Sequence, residues 1–549
     1  MLLKLCAQMR LQPSNMYTLV SKMLEYLNLA TEEHEAAGTA TAAHDVPQIL
    51  NCLRILSRVL PFIYEGMSLT AQNSTQVVPN TALQINFDAL TKLLLRLLFC
   101  GALTIPLYSA QNTCLWASGI GPGKARPEAS QLLFKTARVE LLRCLVATGC
   151  ESIFLTASTY VTAQRIALSA LANNLTAWNA ERGRLEAQPQ ANNLFASLLN
   201  TVCTSEDAGP GLFSSGGKTT DSYLMEYSVH VLLLLLDYPE SDVPPVYNAP
   251  DPSVSGDPYM KLVAPVATPS AATVSVFRDL WLRIQAWPEL KFVNQGLVRH
   301  LQKPFLASTS SSLFLNRPKV ECCPELMVLT WRLLSSNPGF LRCATSRDCE
   351  HGMPLLQAIL QHIHHYRTDP SKLGLVQSAV FVLLLLSGCR DFAAGLNLQS
   401  PPSIYPGLEL SHGCTHGDAL VQLVYQFVVT GGGHLVPLYK TILTVLVNVT
   451  PFVKALYSSS AEKMLHMLEI FSAPRVMFKA ENNFQWTHLL LQSVNNLLQY
   501  QIDGNVHLVY CILRRSDSVH ALVNLVSLDT ALVEHPPIGN FDRGEQPQN

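Results

Sequence analysis

A chain of 549 residues can hold several domains or one long array of helical repeats, so its length allows a large core without setting the number of domains. Charged residues make up only 14% and hydrophobic residues 48%, and the formal net charge is −2. This balance offers no basic surface for DNA or RNA, so nucleic-acid binding is excluded from the prediction. The 14 cysteines are scattered through apolar helical patterns, as is typical of reduced, buried thiols.

Hydrophobic periodicity is helical along nearly the whole chain. Apolar residues recur at spacings of three and four. No comparable series of alternating apolar and polar residues, bounded by hairpin turns, predicts strands. The blocks with this spacing are Val46–Tyr64, Ala82–Cys100, Gln131–Ala147, Asn193–Cys203, Ser222–Leu236, Thr273–Arg299, Pro324–Leu334, Leu355–His365, Leu373–Gly388, Gly417–Val429, Leu435–Leu456, Ser459–Phe471, His488–Gln501 and Asn505–Leu513. The sequence therefore predicts an all-α protein.

Long polar stretches separate some of these helices. Gly, Ser and Pro are dense in Ser205–Asp221 and Tyr238–Ser270, which predicts surface loops, and Ala30–His44 and the tail from His535 look similar. The predicted regions are an N-terminal helical region (1–204), loops around one helix (205–272), a C-terminal helical region (273–534) and a disordered tail (535–549). More than a dozen helices exceed one compact bundle, so we expect an irregular α-solenoid of stacked helical pairs, similar to HEAT or armadillo arrays, with long polar loops. No fixed repeat period is visible.

One segment is apolar enough to raise the question of a membrane span. Ala379–Leu386 is an uninterrupted apolar run, but Lys372 and Arg390 bracket only 17 residues, fewer than the roughly 20 that a span needs. A helix that is apolar around most of its circumference suits the middle of a stacked array. We therefore predict a buried helix here.

Two local patterns predict where later helices begin and break. Pro451 follows Thr450 within the Leu435–Leu456 stripe and should kink or split that helix, because proline cannot donate the backbone hydrogen bond. Ser459 and Glu462 have the spacing of a capping box, which predicts the start of the next helix.

The search for catalytic chemistry finds no complete motif. The stretch "GLFSSGGKTT" imitates a P-loop, but five residues instead of four separate Gly211 from Gly217 and no strand precedes it. No G-x-S-x-G or H-E-x-x-H pattern occurs. We expect neither an enzyme nor a cofactor.

Histidine and cysteine cluster in "HGCTHGD", where His412, Cys414 and His416 are weak candidates for zinc ligands. Zinc sites usually combine two closely spaced ligand pairs, and this triplet lacks that pairing. The alternative is a polar loop in which Asp418 caps the following helix. The looser set of Cys322, Cys323, Cys343, Cys349 and His351 also lacks the pairing. The histidines of "QHIHHY" (Gln361–Tyr366) are expected to end a helix near its carbonyl pole. The prediction is no metal site.

Five stretches resemble the Hid/dymeclin family. They are "ILNCLRILSRVLPFIYE" (Ile49–Glu65), "LFASLLNTVC" (Leu194–Cys203), "KLGLVQSAVFVLLLLSGCRDFAAGLN" (Lys372–Asn397), "VNVTPFVKALYSSSAEKMLHMLEIFS" (Val447–Ser472) and "NNLLQYQIDGNVHLVYCILRRS" (Asn495–Ser516). The last three are long and specific. The matches keep their order along most of the chain.

The resemblance implies a large helical protein of the cytoplasm that lies peripherally at Golgi and trans-Golgi membranes. It implies roles in vesicle trafficking, secretory-granule formation and cargo sorting, carried out through protein partners without catalytic residues or a small-molecule substrate. Family members commonly begin with Met-Gly, which suits N-myristoylation, whereas this chain begins Met1-Leu2. We therefore expect a fragment that lacks both ends. The alternative function is a soluble, importin-like or adaptor-like array that binds cargo in the cytosol.

Overall fold

The computed structural model describes residues 13–37, 46–73, 85–101, 103–106, 116–124, 131–154, 166–181, 190–204, 219–237, 275–306, 322–400, 405, 407–408 and 410–517. Within these ranges the chain forms helices and turns. Extended pairing there is limited to two isolated bridges, Gly101 with Ile105 and Gln399 with Thr415.

The described residues form twenty α-helices. The first nine are α1 (Pro13–Ala37), α2 (Val46–Asn73), α3 (Phe87–Leu98), α4 (Leu132–Gly149), α5 (Ile166–Glu181), α6 (Gln190–Thr204), α7 (Thr220–Leu236), α8 (Val276–Arg283) and α9 (Trp287–Leu306). The others are α10 (Cys323–Ser336), α11 (Pro338–Thr345), α12 (Met353–Tyr366), α13 (Leu373–Ser387), α14 (Arg390–Gly395), α15 (His416–Val429), α16 (Tyr439–Val449), α17 (Ser458–Ser472), α18 (Pro474–Met477), α19 (Phe484–Gln501) and α20 (Val506–Arg514).

Contacts group the chain into two compact units, Met1–Gly296 and Leu297–Asn549. In the first unit, α4 packs between α2 and α7, and α6 packs on α5, α7 and α8. Close approach is required in the middle of α9: a Cβ added at Gly296 would lie 2.7 Å from the Cβ of Cys203 on α6. Burial raises the pKa of the Cys144 thiol on α4 to about 12, so this cysteine acts as a small hydrophobic side chain.

The second unit is built around α13. This helix packs against α10, α12 and α16, and α16 packs in turn on α19. The helices α15, α17 and α20 form a further series, in which α17 contacts both of the others. Successive helices bury apolar stripes against their neighbours in both units, which confirms the predicted all-α, irregular α-solenoid class of stacked helical pairs. The predicted region boundaries stay a prediction, because the loops that define them lie outside the described residues.

Three local predictions are wrong. The stretch Ala30–His44, predicted as a loop, is helical as far as Ala37 at the end of α1. The block Thr273–Arg299 is two helices, α8 and α9, because α8 ends at Arg283 and Pro288 lies in the first turn of a new helix. By contrast, the predicted break at Pro451 is confirmed. The block Leu435–Leu456 ends its helix at Val449, and Thr450–Phe452 forms a 3₁₀ turn.

The third wrong prediction is the capping box of Ser459 and Glu462. Helix α17 begins at Ser458 with Tyr457 as its N-cap, and no side chain of its own caps it. Ser459 Oγ instead accepts a hydrogen bond from Gln422 Nε2 on α15, at 3.3 Å. The backbone N–H of Tyr457 donates to Asp418, a residue on another helix.

The apolar segment at Leu373 is a helix inside the second unit. The side chains of Val376, Ala379, Val380 and Leu383 are completely buried, and three helices cover α13. Three stretches of the described chain are nonetheless long and apolar enough to cross a membrane by length and composition: Val46–Gly66, Pro370–Ser387 and Gly433–Phe452. Pro370–Ser387 reaches 18 residues, so length alone does not decide the question, and the packing supports the buried helix.

Candidate functional site

The structure separates the three candidate zinc ligands by burial and by partner. His412 is exposed, whereas Cys414 and His416 are buried. His416 Nδ1 lies 2.7 Å from the Tyr405 hydroxyl, and burial lowers the pKa of the ring to about 4. The ring is therefore neutral at pH 7, and we assign Tyr405 as the donor in this bond. Among the described residues no three His, Cys, Asp or Glu side chains are placed to share a metal ion.

The second cysteine set contributes to packing. Cys322 and Cys323 lie at the start of α10, Cys343 lies in α11, and all three are buried. Cys349 and His351 lie in the turn from α11 to α12, where Glu350 and His351 have φ of 51° and 55° and Gly352 has 79°. Such a left-handed run is costly for residues with a side chain, so the turn is a strained connection.

The histidines of Gln361–Tyr366 end α12, as predicted. His362 differs from His364 and His365 because its ring is completely buried. Its Nε2 lies 3.0 Å from the Leu301 carbonyl oxygen. Phe305 packs edge-on against the same ring at 4.8 Å between centroids. Burial lowers the pKa of His362 to about 4, so it is neutral at pH 7 and donates to Leu301. The P-loop-like residues Gly211–Lys218 lie outside the described residues, and Thr219 caps α7.

The most specific arrangement in the second unit surrounds Thr450–Tyr457, the connection from α16 to α17, called here the clamped linker. The side chains of Asn397 and Asn505 form hydrogen bonds with its backbone. Asn397 accepts from the Lys454 N–H at 2.8 Å and donates to the Phe452 carbonyl at 2.9 Å. Asparagine can do both at once because its amide carries one acceptor and two donors.

Asn505, at the start of α20, forms hydrogen bonds with the following backbone groups of the clamped linker. Its oxygen accepts from the Leu456 N–H at 2.9 Å, and its nitrogen lies 3.3 Å and 3.1 Å from the carbonyls of Val453 and Lys454. The side chain of Asn505 is completely buried. The neighbouring residue Gly504 has to be small, because a Cβ there would lie 2.0 Å from the Lys454 carbonyl oxygen.

Asp418 holds the end of the clamped linker and two helix starts together. One oxygen accepts from the backbone N–H of Thr415 at 2.8 Å, completing a capping box on α15. The other accepts from the N–H of Tyr457, the N-cap of α17, also at 2.8 Å. Asp418 therefore helps to cap a helix, as predicted, but from within the first turn of α15, where Thr415 is the N-cap. It places its negative charge near two helix N-termini, where the helix dipoles favour it.

The three long family-like stretches meet at this linker. Asn397 ends the first stretch, the linker lies within the second, and Asn505 belongs to the third. Gln501, also in the third, donates to the Pro451 carbonyl at 2.8 Å. Sequence reasoning missed this arrangement, because long-range bonds from side chains to backbone leave no periodic pattern. The only available signal was the concentration of Asn and Gln within otherwise apolar helices.

A shallow polar groove lies close by on α15, α17 and the end of α20. It has a volume of about 490 Å³ and is lined by Tyr425, Glu462, Lys463, His466, Glu469 and Arg515. Arg515 bonds Glu469 at 2.8 Å, and the Tyr425 hydroxyl lies 3.0 Å from His466 Nδ1. In the linker itself, the side chains of Lys454 and Tyr457 are exposed.

Comparison with known proteins identifies related chains. The family model for the high-temperature-induced dauer-formation protein matches residues 9–534. Protein HID1 of Mus musculus is 30% identical over 543 residues, and that of Homo sapiens is 29% identical over 546. Both matches cover 93% of this chain and 64% of the relative, so the chain spans just under two thirds of their length. The Ubp5-interacting protein ftp105 of Schizosaccharomyces pombe is 23% identical over 428 residues, covering 76% of this chain and 43% of the relative. No solved structure matches the chain.

Proposed function

Because the chain belongs to the Hid1 family of high-temperature-induced dauer-formation proteins, we propose that it is a non-enzymatic helical scaffold of vesicle trafficking at the Golgi and trans-Golgi. In this role it takes part in cargo sorting and secretory-granule formation from the cytoplasmic side, peripherally on the membrane. The observation that carries the proposal is the family match over residues 9–534, which includes every described helix.

The site supports a function exercised through protein partners. The clamped linker is held by backbone contacts on its inner side, which leaves Lys454, Ala455 and Tyr457 exposed on a rigid base. A surface that is already ordered loses little conformational entropy when a partner binds. One relative is named for its interaction with Ubp5, which supports the same kind of function.

Proximity labelling in secretory cells tests this proposal. The tagged chain should label Golgi and trans-Golgi proteins, and its loss should reduce the sorting of cargo into granules. A diffuse signal with unchanged secretion would refute the proposal, and neighbours at the nuclear pore would favour the importin-like alternative.

Two variants make the labelling experiment specific. Gly504→Ala should distort the clamped linker, because its Cβ would meet the Lys454 carbonyl oxygen, and should lose Golgi neighbours if that surface binds them. Lys440→Ala changes an exposed side chain on α16 and serves as the matched control, which should keep the wild-type pattern.

A further inference from the structure

Exposed apolar side chains are concentrated where α19 ends and α20 begins. Among the described residues, nine large apolar side chains are more than half exposed, and five of them fall within residues 500–513: Tyr500, Ile502, Val506, Tyr510 and Leu513. Single exposed apolar residues are normal, whereas a cluster marks an interaction surface. The last three residues have spacings of four and three, so they share one stripe of α20, called here the α20 ridge.

The other face of α20 is packed against the second unit. Leu508 and Cys511 are buried, and α20 contacts α17. Asn505 fixes the start of the helix through its bonds to the clamped linker. The α20 ridge is therefore an open surface on a helix that is already held in position, and covering it costs little conformational entropy.

Two exposed side chains of opposite charge flank the α20 ridge. Asp503 lies in the turn before α20, and Arg514 is the last residue of the helix. When two ridges meet antiparallel about a two-fold axis, Val506 faces Leu513 of the other copy and each Asp503 approaches the other copy's Arg514, because a two-fold contact occurs twice. A parallel arrangement instead brings like charges together, which is unfavourable. The ridge is therefore complementary to itself in one orientation.

We propose that a second copy of this chain covers the α20 ridge, with the two α20 helices antiparallel. The exposed parts of the five apolar side chains amount to about 600 Å², when each large side chain is taken as roughly 200 Å². Two copies therefore bury about 1,200 Å² in all, which is the lower end of the range for specific interfaces. A contact of this size forms a dimer that dissociates in the micromolar range. This inference does not depend on the trafficking role proposed above.

The charges favour a second copy over a lipid surface. Anionic lipids attract clusters of Lys and Arg, whereas Arg514 on this surface is balanced by Asp503, and Asp517 is exposed as well. An unrelated protein needs a matching pattern of its own, whereas a second copy always carries the one that the antiparallel contact requires.

Sedimentation velocity of the intact protein over a range of concentrations tests the proposal. The wild type should change from monomer to dimer as its concentration rises through the micromolar range. Tyr510→Asp should raise the dissociation constant about a hundredfold or more, because a charge cannot be buried against an apolar stripe. The matched control, Phe484→Asp, replaces another exposed aromatic ring, at the far end of α19, and should leave association unchanged.

A charge swap tests the antiparallel orientation. Asp503→Arg and Arg514→Asp, made singly, each place like charges together at two points of the dimer and should weaken it about tenfold or more. The two changes made together restore opposite charges and should recover the wild-type dissociation constant, which also shows that the variants fold. A wild type that stays monomeric at every concentration would overturn the proposal, as would a dimer that Tyr510→Asp leaves intact or a double variant that does not recover. A monomer that binds anionic vesicles through Tyr510 would assign the ridge to a lipid surface instead.

Discussion

Replacement of Asn505 by alanine should open the clamped linker. The wild-type side chain accepts one backbone N–H, from Leu456, and its amide nitrogen lies within 3.3 Å of three carbonyls, those of Val453, Lys454 and Gln501. Each such bond contributes about 1 kcal/mol net, and the buried Leu456 N–H left without a partner adds a penalty of about 1–3 kcal/mol. We expect the free energy of opening at the Leu456 and Tyr457 amides to fall by about 3–5 kcal/mol.

Native-state hydrogen exchange followed by mass spectrometry measures this directly. The variant should raise exchange in the linker peptide by at least about a hundredfold, since each 1.4 kcal/mol is a factor of ten. Asn482→Ala removes an asparagine at an exposed position and is the matched control, with an expected effect below about 0.5 kcal/mol. If Asn505→Ala and Asn482→Ala shift exchange equally, the asparagine clamp does not stabilise the linker and the reasoning is wrong.

Three further predictions concern the second unit. Burial lowers the pKa of His362 and His416 from 6.5 to about 4, so the unfolded chain binds more protons than the folded chain below pH 6.5. Acidification from pH 7 to 5 should therefore lower the free energy of unfolding by about 2 kcal/mol per ring. Urea titrations should show a weaker pH dependence when either histidine is replaced by glutamine. Asp418→Ala should cost about 3 kcal/mol and Asp418→Asn less, measured by urea unfolding, because alanine removes the acceptor of the backbone N–H groups of Thr415 and Tyr457. Equal costs would contradict this role of the carboxylate. Gly504→Ala should lower the melting temperature because of the backbone clash, whereas Gly374→Ala, with open space around its Cβ, should add about 0.5–1 kcal/mol.

Most of the long helices could be predicted from sequence because each carries its own apolar period, whereas α1 and α5 were missing from the predicted blocks. The break at Pro451 and the cap at Asp418 were also predictable, since both depend on residues close together in sequence. The capping box at Ser459 failed for the opposite reason. The spacing to Glu462 was suitable, but α17 begins one residue earlier, with Tyr457 as its N-cap. Asp418 on another helix fixes that start by accepting from the Tyr457 N–H.

The candidate site could not be predicted from local sequence patterns. Asn397 and Asn505 are far apart in the sequence, and both bind the same linker through its backbone. Every residue has nearly the same backbone groups, so the sequence does not show which residues an asparagine side chain binds when its partners are backbone N–H and C=O groups. Helix α20 shows a similar limit. Its apolar spacing predicts a helix, but it does not say that Leu508 and Cys511 are buried while Tyr510 and Leu513 stay exposed.

The clamped linker also separates two kinds of constraint on the sequence. Asn397, Asn505 and Asp418 recognise the main chain of residues 452–457 and are indifferent to most of its outward side chains. Lys454, Ala455 and Tyr457 can therefore be replaced without loss of the side-chain-to-backbone hydrogen bonds that hold the linker. Substitutions at these three exposed positions should therefore change the chemistry of the surface without changing the backbone that supports it.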